Sequence, residues 1–395
     1  MKALSGVQVL DLTRALAGPY CTLMLGDYGA DVIKIELPGR GDDTRHWGPP
    51  YIDGESAYFL SINRNKRSLT LNLKDPAGRE VFMRLTRNAD VVVENFTPGV
   101  VNRLGIDYEA VKAENPRIVY SSISGFGQTG PYREKPAYDQ MMQGLGGIMS
   151  LTGDPDGQPQ KIGVALADIG AGMLAAYAVM TALFHRERTG VGQYIDVSML
   201  DLQVAWLTYQ AATYFATDTP PPRVGAAHPN LVPYQAFKCA DGKYINVAVG
   251  NERFWQRFCK ALGREDLVEM PEYAQNKDRV KNRDQLVALL QQEFDTRSTD
   301  RWVDILEEAG VPCGPINDLA DVFSDPQVKA RDMLLEVQHP SAGKIKQTGI
   351  PIKFSATPGS IDSPPPLLGQ HSKEILLELG YSQDEVEALE QQEVI

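Results

Sequence analysis

The stretch VQVLDLTRALAGPYCTLMLGDYGADVIKIEL, residues 7–37, decides the fold. It opens on a short apolar run, turns into GPYCTLMLGDYGA with its helical pattern, and closes on the β-branched run DVIKIEL. The alternation continues through SLTLNL (68–73), DVVVENF (90–96) and RIVYSSIS (117–124), separated by DPAGREVFMRLTRNA and GVVNRLGIDYEAVKAEN. Strands alternating with helices at this spacing predict parallel βαβ units, hence an α/β class with a large parallel sheet.

A chain of 395 residues exceeds what one core usually organises, so two domains are expected. After the strand QYIDVSML and the apolar helix LDLQVAWLTYQAATYFA, the composition breaks at TDTPPPRVGAAHPN (217–230), whose three consecutive prolines read as a linker. Beyond it, YQAFKCADGKYINVAVG reads as a hairpin turning at Asp241-Gly242, followed by amphipathic helices to about residue 310, which suits a small α+β domain. The tail is either a third unit or a return to the first.

The net charge of −12 argues against a nucleic-acid partner. It is unevenly spread: residues 1–140 hold 17 basic and 17 acidic side chains, and the rest hold 22 and 34. An anionic ligand therefore suits the N-terminal part, where Arg14, Arg40, Lys74 and Arg103 fall near predicted strand ends, the usual ligand side of open α/β sheets. Cys21, Cys239, Cys259 and Cys313 form no C-x-x-C pair, which fits a reducing, cytoplasmic setting without a thiolate metal site. The N-terminus lacks the apolar run of a signal peptide, and the long apolar segment from Val164 to Arg186 reads as a buried core helix, so no membrane association is expected.

That segment, VALADIGAGMLAAYAVMTALFHR, carries one carboxylate near its head, Asp168. Spacing alone admits a plain helix cap, since Asp accepts hydrogen bonds from free backbone N–H groups there. GFGQTG (125–130) matches the dinucleotide-binding pattern and follows a predicted strand, but Pro131 and Pro136 follow where the phosphate-binding helix must start. His46, His185, His228, His339 and His371 have no metal-ligand spacing, and no serine-hydrolase or P-loop motif occurs. His228, beside the linker, could line a cleft or be a solvated loop residue.

Taken together, LDLTRALAGPYCTLMLGDYGADVIKIELPGRGDDTR, NRNKRSLTLNLKDPAGRE, VVVENFTPGVVNRLGIDYE, SISGFGQTGPY, the Asp168 segment, GVPCGPI and PPLLGQHSKEIL closely resemble the class III coenzyme A transferases. This family includes formyl-CoA and carnitine CoA-transferases and the α-methylacyl-CoA racemases. The resemblance implies an interlocked homodimer with a large Rossmann-like domain containing both termini: residues 1–216 its first part, 217–230 a linker, 231–325 the small α+β domain, and 326–395 the return segment.

It further implies that Asp168 is the catalytic nucleophile, attacking an acyl-CoA thioester to form an anhydride and then an aspartyl-CoA thioester. Coenzyme A is then a substrate, and no tightly bound cofactor or metal is implied. The family's CoA contacts map onto Leu16, Ala17, Leu71, Asn72, Leu73, Lys74, Asn95, Phe96, Thr97, Arg103, Tyr138 and Asp139. Leu37 stands where a phosphate-binding arginine is found in formyl-CoA transferase, and Arg40 is its expected substitute. Tyr138 replaces the racemases' acid/base histidine, which disfavours racemisation. The glycine-run loop that closes over oxalate is missing, with Gly250-Asn251 in its place. GAAHPNLVPYQAF, containing His228, points to the branch using succinyl-CoA and dicarboxylic acids, so acyl-CoA and small carboxylic acids are the expected partners.

Overall fold

The computed structural model describes residues 1–395, which form two compact units. The first comprises residues 1–148, 161–212 and 326–395, and the second residues 149–160 and 213–325. The sequence reading had left 149–160 in the large domain.

The first unit is built on six parallel strands: β1 (Gln8–Asp11), β2 (Asp31–Glu36), β3 (Lys66–Thr70), β4 (Val91–Glu94), β5 (Val119–Ser124) and β6 (Tyr194–Ser198), in the order β3-β2-β1-β4-β5-β6. Side chains alternate between the faces, as a strand period of two requires. Val9, Val91 and Val93 enter one core with helices α1 (Ala17–Asp27) and α4 (Leu166–Thr189). Leu10 and Val92 enter the other, with α2 (Pro76–Thr86) and the C-terminal helices Ser372–Glu378 and Gln383–Gln391. Burial on both faces explains the near-continuous apolar strands. At the start of helix α2, Asp75 accepts from Ala77 N–H and Pro76 lies just inside the helix.

The order of the strands reverses between β1 and β4. Successive connections leave β1 toward β3 on one side, and β4 toward β6 on the other, so the loops after β1 and β4 diverge and leave a crevice at their carboxyl ends. Under this crevice lies a buried ionic network. Lys66 Nζ is 3.0 Å from Asp11 Oδ2, Lys34 Nζ is 2.8 Å from Asp42 Oδ2, and Arg45 makes two bonds to Glu36. Burial would raise the Asp11 carboxyl, but Lys66 and Lys34 outweigh it and hold it well below the usual range. Burial takes Lys66 down to about 8.

Helix α4 is not buried all round as expected. Its small residues face inward: Ala167, Ala171, Ala175, Val179 and Ala182 are buried, and a Cβ on Gly172 would lie 2.5 Å from the Ala17 carbonyl oxygen. Only glycine allows that approach of α1 and α4. The opposite face exposes Met173, Tyr177, Met180 and Phe184. The helix is long and apolar enough to cross a membrane, and half of its most apolar stretch is buried within the protein.

The second unit has the antiparallel sheet β9-β8-β7, formed by β7 (Tyr234–Lys238), β8 (Tyr244–Ala248) and β9 (Cys313–Pro315), with the hairpin turn at Asp241-Gly242. Gly242 has φ +79°, which favours glycine there. Helices Glu252–Leu262, Arg283–Phe294 and Thr299–Glu308 bury Trp255, Phe258, Phe294 and Trp302 against the sheet. The Pro-rich stretch carries no helix or strand between Thr217 and Tyr234.

Candidate active site

The crevice holds a cavity of about 510 Å³. Its walls come from the turn after β1 (Arg14 to Ala17), the turn after β4 (Asn95 to Thr97), the end of β5 (Ile123 to Gly125), Pro136 to Gln140, Trp47, Tyr58, Lys161 and Asp168. The two turns are tied together: Arg14 N–H donates to Asn95 Oδ1 at 2.9 Å, and Asn95 Nδ2 donates to the Arg14 carbonyl at 2.8 Å. The β1 turn is supported from beneath, because Lys34 Nζ donates to the Thr13 carbonyl at 2.9 Å and Ala15 N–H donates to Asp42 Oδ1 at 3.3 Å. Ala15 sits at φ +60°, a strained conformation for a residue with a Cβ, so the ionic network fixes a backbone that would otherwise relax. Glu94 Oε2, at the end of β4, accepts from Phe96 N–H at 2.8 Å and sets the second turn.

Asp168 is half-buried in the third position of α4 and is not its cap. The helix starts two residues before it at Leu166, and the flanking Ala165 has no side-chain acceptor. The acceptor comes instead from helix α3 (Asp139–Leu145): Asp139 Oδ1 accepts from Ala167 N–H at 2.8 Å, while Asp139 Oδ2 accepts from Gln143 Nε2 at 2.8 Å. The Asp168 carboxylate is therefore left free of intramolecular hydrogen bonds and lines the cavity. Burial, reinforced by the Asp139 charge, pushes its pKa up to about 7.

Among the other expected residues, Leu16, Ala17, Asn95, Phe96, Thr97, Tyr138 and Asp139 line this cavity. Arg40 does not, but its guanidinium bonds Asp43, which does, at 2.8 Å. Leu71 is buried in the core, so its side chain is unavailable to a ligand. Asn72, Leu73, Lys74 and Arg103 lie beyond the cavity walls, after β3 and in the short helix Val100–Leu104. His228, Gly250 and Asn251 belong to the second unit. His228 stacks on Tyr234 with ring centroids 5.3 Å apart, and Asn251 caps Glu252–Leu262 by accepting from Phe254 N–H.

Trp47, Tyr58 and Lys161 had escaped the sequence reading. Trp47 and Tyr58 meet edge to face at 5.2 Å, and burial together with the Asp168 and Asp139 charges raises the Tyr58 hydroxyl to about 12. No local motif marks either aromatic residue. GFGQTG leads into irregular chain up to Tyr138, and its Gln128 N–H donates to Asp196. It has no following helix with which to hold a pyrophosphate.

A carboxylate free of hydrogen bonds thus faces a roomy crevice at the carboxyl ends of the parallel strands. Residues 4–372 match the family model described as CoA-transferase family III. The chain is 45% identical over 390 residues to succinyl-CoA:glutarate CoA-transferase of Mus musculus, with 98% of this chain and 89% of the relative covered. It is 41% identical to succinyl-CoA:mesaconate CoA-transferase of Haloarcula marismortui, covering 96% and 97%. The crystal structure of a CAIB/BAIF family protein from Brucella suis superposes with a TM-score of 0.86 at 46% identity, covering 96% of this chain and 99% of that one. The chain thus belongs to CoA-transferase family III and is a CoA-transferase, taking CoA thioesters as substrates.

Proposed function

We propose that the protein moves coenzyme A from succinyl-CoA to a second dicarboxylic acid of glutarate type, with Asp168 as nucleophile. The observation that carries this reading is the position of Asp168: a half-buried carboxylate without a hydrogen-bond partner, on the wall of a crevice shaped by the β1 and β4 turns. The names of the relatives support the substrate class.

In the proposed cycle, ionised Asp168 attacks the thioester carbonyl. The C–S bond breaks, CoA thiolate leaves, and an aspartyl–succinyl anhydride forms. The thiolate attacks the aspartyl carbonyl, releasing succinate and leaving an aspartyl-CoA thioester. The acceptor carboxylate attacks that thioester and expels the thiolate, which finally takes the acyl group of the acceptor and frees Asp168. The turns at Leu16-Ala17 and Asn95 to Thr97 hold CoA, and Tyr138 and Asp139 border the reacting end. Arg40, Asn72 to Lys74 and Arg103 are the candidate contacts for its outer portion.

The exposed apolar face of α4 supports a homodimer in which Met173, Tyr177, Met180 and Phe184 meet a second copy. The interlocked arrangement and a cytoplasmic setting, suited to four free cysteines, are part of the same proposal.

Incubation with succinyl-CoA without acceptor should leave a CoA adduct, cleaved by hydroxylamine, on the peptide spanning residues 162–186. Addition of glutarate should discharge it as glutaryl-CoA. A wild-type protein that forms no adduct and transfers CoA to none of succinate, glutarate, itaconate, malate or citramalate would refute the reading.

A further inference from the structure

Two cations line the cavity beside Asp168, and they are held differently. Arg14 belongs to the paired turns: Asn95 bonds its backbone twice, and its guanidinium carbon lies 5.3 Å from the Phe96 ring centroid. Lys161 comes from the segment leading into α4. The next residue, Ile162, donates its N–H to Gln143 Oε1 at 2.9 Å. Gln143 is fully buried and bonds Asp139, which caps Ala167. One hydrogen-bonded pair, Asp139 and Gln143, therefore fixes both the nucleophile's helix and the backbone beside Lys161. The lysine side chain is exposed, with only a 3.4 Å contact to the Ile162 carbonyl. Three carboxylates share the cavity wall, Asp43, Asp139 and Asp168, and Lys161 forms an ion pair with none of them.

Resting on the transfer reaction above, we propose that Lys161 selects dicarboxylic substrates by pairing its ammonium with the distal carboxylate while the proximal one reacts at Asp168. When one end of a diacid is bound as anhydride or thioester, the other remains an anion. Within this cavity it meets apolar Ile123, Ala165 and Met199 and the acidic trio, and an anion desolvated there without a cation is strongly disfavoured. Arg14 is fixed among the CoA-binding turns, which leaves Lys161 for the acyl end. A compact ammonium on a flexible four-carbon stem also adjusts to diacids of different length.

The test compares Lys161→Met and Lys161→Arg with wild type on two donors, succinyl-CoA and butyryl-CoA, and two acceptors, glutarate and pentanoate. Lys161→Met should raise KM for succinyl-CoA and glutarate about tenfold or more, the scale of one lost charge contact, and leave KM for butyryl-CoA and pentanoate unchanged. Lys161→Arg should keep most of the diacid preference. Because Lys161 is exposed, the thermal melts of all three proteins should coincide. Equal damage with both donors would assign Lys161 to the CoA phosphates and overturn the proposal, as would an unchanged diacid preference in an active Lys161→Met protein. A wild type that transfers CoA to no carboxylate would bring down the reaction and this proposal together, a result distinct from either of those.

Discussion

Asp139 caps the helix that carries Asp168: its Oδ1 accepts from the Ala167 N–H at 2.8 Å, across 28 positions of sequence. One carboxylate performs the structural task at that helix end, and its neighbour is left without a hydrogen bond on the cavity wall. The arrangement also places two negative charges close together, which helps burial to hold Asp168 near pKa 7.

Asp139→Asn should separate these two effects. The amide oxygen can still accept from Ala167, its NH2 group replaces the oxygen that accepted from Gln143 Nε2, and the charge that raises the Asp168 pKa is gone. In wild type, kcat/KM should rise with pH up to about 7 as Asp168 ionises, and in the variant this limb should move to lower pH. A pH profile of kcat/KM checks it. An unmoved limb would show that burial alone sets the titration.

Asp168→Asn should abolish transfer, by several orders of magnitude, because an amide cannot form the anhydride. Its stability should rise. The folded-state pKa lies above the ordinary carboxylate value, so the folded protein favours the protonated form. The stability this gives is present at low pH and is lost as pH climbs through about 7. The neutral amide escapes that loss, giving a gain on the order of 1–3 kcal/mol at pH 8 that should vanish near pH 4. Urea unfolding at the two pH values measures it.

Gly172→Val places a side chain 2.5 Å from the Ala17 carbonyl oxygen, a backbone atom that cannot swing away. Helices α1 and α4 must part, at a cost of about 1–3 kcal/mol or more. Since Ala17 lines the cavity proposed to hold CoA, KM for acyl-CoA should rise together with the loss of thermal stability. A destabilised variant with unchanged KM would contradict the link between this packing and the site.

Lys34→Met removes the partner of buried Asp42 and the donor to the Thr13 carbonyl. Leaving one member of a buried pair uncompensated should destabilise the fold by about 3–5 kcal/mol. The double variant Lys34→Met with Asp42→Leu should recover part of that stability but not the acyl-CoA affinity, because Ala15 loses its acceptor as well. Denaturation curves and KM for acyl-CoA distinguish the two effects.

The sheet was legible because its strands are buried on both faces and read as apolar runs. The exception is instructive. SLTLNL suggested a strand over 68–73, whereas the ladder runs from Lys66 to Thr70. Its first two residues are charged, and they belong in the strand because Lys66 meets Asp11 and Arg67 meets Asp31, partners that no local pattern displays. Asp168 stood out by its isolation in an apolar segment, but its freedom from capping depends on Asp139, fixed only when α3 and α4 pack. Trp47, Tyr58 and Lys161 reach the cavity from chain segments whose local composition is ordinary. Proximity in the fold gives them a role there, and spacing could not.

The chain passes between the two units four times, at 148–149, 160–161, 212–213 and 325–326. Neither unit is thus a contiguous reading frame, and truncation at either end of the gene cannot yield the second unit alone without also carrying or severing part of the sheet. The second passage of the chain through the first unit begins at Lys161, seven positions before Asp168. A protease cut within 149–160 would therefore release the tether immediately upstream of the helix that carries Asp168 while leaving every strand of the sheet intact.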